Sequence, residues 1–465
     1  MEANIMMKML NVIAVFIAVI MAACVHVNAV EMNEEEYARL KNRLTSEFMQ
    51  KLKDEIKHEL IAELKSEYTI EPKQKQEIKQ KPQTVNLTPA IQTQTSSCHE
   101  TYDIREEKLT EEDELELDTA QYRLGEGLTF KEQMLTIRGF GNVDARYMDK
   151  HVGESINQGN NFFSLGEFDL FITSKLSNRI SFFSETVFEF ESTGEVVTDV
   201  ERLLIHYDIN SLFKVDVGKF HTPIGYWNRL YHHGAWFQTT VERPETLKFE
   251  DEGGPLPTHA TGIQLSGSAM FEGFDMNYLF SVSNGRGVDT SHQQNSVDLN
   301  DEKAFCFQLE AVPHSIVEGL RFGPTIYYDV IPENETNPNR ADEIREIIYG
   351  GHIVYLVRNL ELLAEAFEIN HDEFSGGVFN TFGGYAQCAY SISKFKPYYR
   401  YDYINYDSKD PFYGEGELDF LDTNTHTIGL RYELSHFNAL KCEVSHGVFD
   451  DEDVNIIRLQ TAFSF

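Results

Sequence analysis

The sequence predicts an all-β protein: a transmembrane antiparallel β-barrel of about 16 strands over residues 134–465, with an N-terminal periplasmic α-helical coiled-coil segment. Three observations predict it. A leader pattern opens the chain, short segments of alternating apolar and polar residues begin near Met134, and the last segment is an aromatic-alternating strand ending on Phe465.

Composition bounds the alternatives. The 465 residues carry 40 Lys+Arg against 75 Asp+Glu, a formal net charge of −35. A field of that sign repels nucleic-acid phosphates, so no nucleic-acid partner is expected. Mean hydropathy is −0.37, and no apolar run of helical length follows the N-terminus, which excludes a multi-helix membrane protein. It leaves a barrel open, because alternating strands hide their hydrophobicity from an average.

Residues 1–29 read as a signal peptide: Lys8, the apolar stretch Met9–Ala23, then Val27-Asn28-Ala29 at the cleavage site. A spanning helix and a lipoprotein variant at Cys24 are the competing readings. Export permits disulfides, but Cys98, Cys306, Cys388 and Cys442 are too scattered to make a framework, and no CxxC stands in the chain. Residues 30–68 predict a helix, with Leu40, Leu44, Phe48, Leu52, Ile56, Leu60, Leu64 and Tyr68 recurring every four residues. Self-association as a right-handed coiled coil is the reading, against an isolated amphipathic helix docked elsewhere. Residues 69–133 are Pro/Gln/Lys-rich and then acidic, the composition of a flexible linker.

From 134 onward, sixteen strands are expected near 134–148, 162–176, 178–190, 198–209, 212–220, 259–269, 273–283, 303–312, 319–330, 344–357, 359–370, 378–391, 395–406, 423–435, 438–448 and 454–465. Tight turns alternate with long connections at 221–258, 284–302, 331–343 and 407–422, the arrangement of an outer-membrane barrel. A soluble β-sandwich or β-helix is the competing fold.

Alternation assigns faces. Leu440, Cys442 and Val444 oppose Lys441, Glu443 and Ser445, so apolar faces meet lipid and charged faces meet the lumen. Parity places Asp169, Lys175, Glu185, Glu189, Arg202, Asp208, Asp216, Arg321, Asp329, Arg400, Asp402, Arg431, Glu433, Lys441, Glu443 and Arg458 inside, as candidate pore-lining residues. Charges of both signs on facing walls hold water and pass ions, although mutual pairing in a filled lumen would use the same residues.

The longest connection, 221–257, holds both Trp residues and is expected to fold inward as a constriction, with Arg229, His232, His233, Glu242, Arg243, Asp251 and Glu252 as its candidate residues. A loop packed over the rim is the alternative. His232 and His233 with Glu242, Asp251 and Glu252 make a poor metal site, since adjacent histidines point apart and the acids lie far along the chain. No metal, no cofactor and no catalytic motif is expected: GxSxG, Walker loop and HExxH are all missing.

The stretch Val217-Gly218-Lys219-Phe220-His221-Thr222-Pro223-Ile224-Gly225 resembles the "VGxFxxPxG" element of the phosphate-selective porin family (porins O and P) and its uncharacterised relatives, at a similar depth into the barrel. The last strand resembles the segment of outer-membrane proteins that the barrel-assembly machinery recognises. The resemblance implies a sixteen-stranded homotrimeric porin whose long third loop constricts the channel, with phosphate selectivity from a ladder of arginines and lysines. This chain departs from that pattern. His221 stands where lysine is common, and residues 134–465 hold 24 Lys+Arg against 50 Asp+Glu. The expectation is therefore an outer-membrane channel for passive diffusion, cation-favouring or weakly selective. The alternative is a structural barrel anchoring the coil of 31–68 as a tether to the cell wall or to another coil.

Overall fold

The computed structural model describes residues 120–123, 127–130, 135–150, 161–190, 194–291, 295–334, 342–374, 376–413, 420–450 and 452–465. The expected signal peptide, the coiled coil and most of the linker lie outside the described residues.

The strands are β1 (Ala120–Arg123), β2 (Gly127–Phe130), β3 (Leu135–Met148), β4 (Asn161–Lys175), β5 (Ile180–Phe190), β6 (Val196–Asn210), β7 (Phe213–His221), β8 (His259–Phe271), β9 (Phe274–Ser283), β10 (Ala304–Val312), β11 (Leu320–Ile331), β12 (Ile344–Val357), β13 (Leu360–Glu373), β14 (Val378–Tyr390), β15 (Phe395–Asn405), β16 (Thr423–Ser435), β17 (Asn438–Phe449) and β18 (Glu452–Ser464). Each strand from β3 to β18 pairs antiparallel with the next, and β18 pairs with β3. The result is a closed sixteen-strand antiparallel barrel, in which no long edge is left to template aggregation.

All sixteen expected barrel strands form, with ends shifted by three residues at most. The linker region differs from expectation. Its last residues form the hairpin β1–β2, and β2 pairs with β3 at Leu128↔Ile137 through Phe130↔Leu135. Strand β18 takes the same edge of β3 from Phe140 onward. The hairpin therefore covers backbone that β18 is too short to reach.

Alternation sets the two faces. Along β13, Glu361, Leu363, Glu365, Phe367, Ile369 and His371 are buried, while Leu362, Ala366 and Glu368 between them are exposed. Large apolar side chains cover the outer face all round, including Phe163, Ile263, Phe305, Ile353, Tyr403 and Leu459. A continuous apolar belt on a closed barrel is the surface of a transmembrane barrel. Four pairings carry bulges, three of them between β3 and β7, at Gly141/Val143, Glu185/Thr186 and Asp208/Asn210.

The seam is closed by the C-terminal residue. Phe465 and Gly139 exchange both backbone hydrogen bonds, at 2.9 and 3.0 Å, and the Phe465 ring lies across Gly139. A Cβ at 139 would sit 2.0 Å from that ring, so only glycine leaves it room. Gly139→Val is expected to expel the ring and destabilise the barrel by roughly 1–3 kcal/mol as overpacking. Gly351→Ala, whose Cβ would meet nothing closer than 3.6 Å, is the neutral control. Urea unfolding of the detergent-solubilised protein measures both, and equal midpoints would refute the seam argument.

Candidate functional site

Residues 222–258 join β7 to β8, and most of them are buried. They touch the wall face opposite the apolar belt, so the segment lies inside the barrel. It is irregular apart from one helical turn, α1 (Trp227–Leu230), and two 3-10 turns, Glu245–Leu247 and Glu250–Glu252. Such backbone brings donors and acceptors that no ladder satisfies, and each must find a partner once buried.

Wall side chains supply them. The Glu365 carboxylate accepts from the backbone N–H groups of Tyr226 (2.5 Å) and Trp227 (2.8 Å). Glu443 accepts from Val241 N–H at 2.9 Å, and Asp402 from Glu245 N–H at 3.1 Å. Cations take the carbonyls. Arg400 donates to the carbonyls of Glu242 (2.6 Å) and Arg243 (3.0 Å), and its Nε to Asp402 (2.7 Å). Arg431 donates to the carbonyls of Trp236 (2.7 Å) and Gln238 (2.8 Å), and Lys441 to those of Ala235 and Thr240. Gly225 is needed at the entry: its φ is +68°, and a Cβ there would lie 2.1 Å from a Glu365 oxygen.

On the same side an apolar cluster seats the segment. Ile224, Tyr226, Trp227, Leu247 and Leu256 pack against Cys306, Tyr327, Ile348, Leu363, Phe367 and Tyr385 of β10–β14.

The parity-assigned residues thus fall into groups. Arg400, Asp402, Arg431, Lys441 and Glu443 are buried beneath the segment as its hydrogen-bond partners. Asp329 accepts from Arg286 N–H at 2.7 Å and from the Tyr327 hydroxyl at 3.1 Å. Arg202 pairs with Glu185, and Asp216 pairs with His206 at 2.6 Å. Arg321 reaches Glu310 at 3.4 Å, and Glu433 pairs with Arg431 at 2.7 Å. Lys175 and Asp208 sit exposed near strand ends.

Opposite the apolar cluster, between the segment and β3–β6 with β18, lies a cavity of about 370 Å³. Seven carboxylates line it, Asp144, Glu167, Glu189, Asp199, Glu201, Glu242 and Glu252, against the guanidiniums of Arg146, Arg243 and Arg458. Arg458 holds Glu242 at 2.8 Å. Burial alone would raise the Glu242 carboxyl, but Arg458, Lys248 and Arg146 bring it below its ordinary value, so it is charged at neutral pH. Arg243 stacks 3.8 Å over the Phe249 ring. Arg229 donates to Gln308 on the far side, and Asp251 falls within the second 3-10 turn.

His232 and His233 do not point apart as their adjacency predicts: their rings meet edge to face with centroids 4.7 Å apart, and both reach Glu201, an acid not considered from sequence. His233 lies between Glu167 (3.2 Å) and Glu201 (3.0 Å). Burial alone would lower it, yet the two carboxylates hold it well above the ordinary imidazole value, as a buried cation. His232 meets His221, His259 and Glu201. Sequence reasoning missed Glu201, Glu167, His259, Glu361 and Glu365. Strand parity alone would have placed Glu361 and Glu365 inside. Glu201 was hidden by the β5–β6 bulge, which skips it in the pairing and turns both Glu201 and Arg202 inward.

Arg400→Ala leaves Asp402 as an uncompensated buried charge, and its expected cost is about 3–5 kcal/mol. Both Trp residues of the chain lie in the seated segment, so the variant should show red-shifted tryptophan emission and new proteolytic cleavage within 235–250. Arg400→Lys restores charge without the fork and should fall between. Unchanged emission and cleavage in Arg400→Ala would show that the segment is held by other means.

No protein-family model and no curated protein matches the sequence. Among solved structures, the anion-selective porin from Comamonas acidovorans is similar at TM-score 0.51 and 12% identity, over 71% of this chain and 99% of that one. The outer membrane channel DcaP of Acinetobacter baumannii stands at TM-score 0.48 and 11% identity, over 73% and 100%. OmpF of Salmonella typhi stands at TM-score 0.47 and 12% identity, over 75% and 100%. At these identities the likeness to the Comamonas acidovorans protein is one of fold: this chain has the porin architecture.

Proposed function

We propose that the protein is an outer-membrane porin, passing ions and small polar solutes by passive diffusion, with a preference for cations. The observation that carries this reading is the polar cavity left between the seated segment and β3–β6 with β18, lined by seven carboxylates against three guanidiniums. A transmembrane barrel whose interior is partly filled from one side leaves its conduit on the other side. An acidic conduit of low dielectric concentrates cations and repels anions. The similar protein from Comamonas acidovorans is named anion-selective, and the lining here argues for the opposite sign. Phosphate is a disfavoured solute for the same reason.

The barrel resides in the outer membrane of a Gram-negative-type bacterium, with the segment before it in the periplasm. It assembles as a homotrimer and reaches the membrane through recognition of its last strand by the barrel-assembly machinery. The apolar belt and the terminal Phe465 seam support membrane residence. The trimer rests on the family resemblance, and native mass spectrometry tests it.

Full-length protein in a planar bilayer under a salt gradient is expected to give stepwise conductance with a cation-favouring reversal potential. The double variant Glu189→Gln with Asp199→Asn removes two lining carboxylates that take no part in seating the segment. It should lower the cation-to-anion permeability ratio by about twofold. A bilayer without steps would sink the channel reading, and an anion-favouring potential would sink its sign.

A further inference from the structure

At the foot of the seated segment one carboxylate and three imidazoles converge. Glu201 comes from β6, His221 is the last residue of β7, His259 is the first of β8, and His232 lies just past α1. His221 and His259 face each other in the β7–β8 register. One ligand atom from each of the four lies within 4.8 Å of the others, and all four residues are buried. His232 Nε2 stands 2.9 Å from His259 Nε2 and 3.6 Å from Glu201 Oε2, and His259 Nε2 contacts that same oxygen. Tetrahedral zinc, with bonds of about 2.0–2.2 Å, separates its ligand atoms by roughly 3.3 Å. The observed spacings bracket that value.

Two features show that the imidazoles are set up to donate lone pairs. The Asn228 amide nitrogen donates to the carbonyls of Thr222 (2.9 Å) and Thr258 (3.0 Å), so its oxygen must face His232. That oxygen lies 2.7 Å from His232 Nδ1, which places the ring proton on Nδ1 and a lone pair on Nε2. This is the outer contact that orients a metal-bound histidine. Second, neither ring nitrogen of the buried His221 has a hydrogen-bond partner among the described residues. The nearest charged oxygen, on Glu185, is 3.7 Å from its Nε2. An unpaired buried imidazole costs stability unless something else takes its lone pair.

We infer that Glu201, His221, His232 and His259 form a binding site for a divalent transition-metal ion of the zinc class. Imidazole-rich donors with one carboxylate suit Zn²⁺, Co²⁺, Ni²⁺ and Cu²⁺, whereas Ca²⁺ and Mg²⁺ require oxygen cages. Four protein ligands leave no open position, so the ion is a structural pin and not a reaction centre. On binding, neutral His259 carries its ring proton on Nδ1, which faces the Thr258 hydroxyl oxygen at 3.2 Å, so that its Nε2 offers a lone pair beside that of His232. The pin ties both ends of the buried segment and its middle to β6. The proposal does not depend on the channel reading.

The test uses the untagged full-length protein in detergent, stripped with chelator and then given Zn²⁺ or Co²⁺ alone. The expected result is one equivalent of Zn²⁺ per chain retained through gel filtration, and visible absorption of tetrahedral character with Co²⁺. Ca²⁺ and Mg²⁺ should leave no retained ion. His232→Ala and His259→Ala should each weaken Zn²⁺ binding by at least about tenfold. His314→Ala, in an exposed turn, should bind as the parent does. Failure of the folded parent to retain Zn²⁺ overturns the proposal, as does undiminished binding in both ligand variants. If those variants do not fold, the parent's stoichiometry and Co²⁺ spectrum decide.

Discussion

The structure turns on one requirement: an irregular chain segment sits inside a barrel, and its backbone has to be satisfied there. The wall meets it with ionised side chains. Glu365, Asp402 and Glu443 take N–H groups, while Arg400, Arg431 and Lys441 take carbonyls. Charge-assisted bonds of this kind are about twice as strong as neutral ones. Buried charges in turn need partners, and the segment provides them. Neither the wall's charges nor the segment's fold is stable alone. Charges that would otherwise face water in an open lumen are here consumed in holding it partly shut.

The interior is consequently two-sided. Toward β10–β14 the segment meets an apolar cluster around Trp227 and Phe367. Toward β3–β6 it leaves the polar cavity, and there the wall carries most of its bulges. A bulge inserts a residue without changing the strand count, so an extra side chain turns inward. Asn142 and Glu201 enter the interior in this way. The irregular part of the sheet is thus the part that lines the cavity.

The strands were legible because a membrane barrel imposes period two on every strand, and no other packing interferes with that signal. The β1–β2 hairpin was not, because its strands AQYR and GLTF are four residues each, too short to display a period. Inward parity was legible for residues such as Arg400 and Glu443. What they touch was not, since their partners lie about 160 to 200 positions away along the chain. The histidine group failed for both reasons at once. Glu201 sits on a bulge that breaks parity, and His221 meets His259 only through a register that the intervening 37 residues conceal.

The grip on the buried segment falls mostly on main-chain atoms. Carbonyls at 235, 236, 238, 240, 242 and 243, with N–H groups at 226, 227, 241 and 245, are held whatever side chains those positions carry. Substitutions there can alter the chemistry facing the cavity without releasing the backbone. Changes in the gripping residues have no such latitude. The wall thus fixes the path of the segment and leaves side chains that it turns toward the cavity, such as those of Ala235 and Val241, outside that grip.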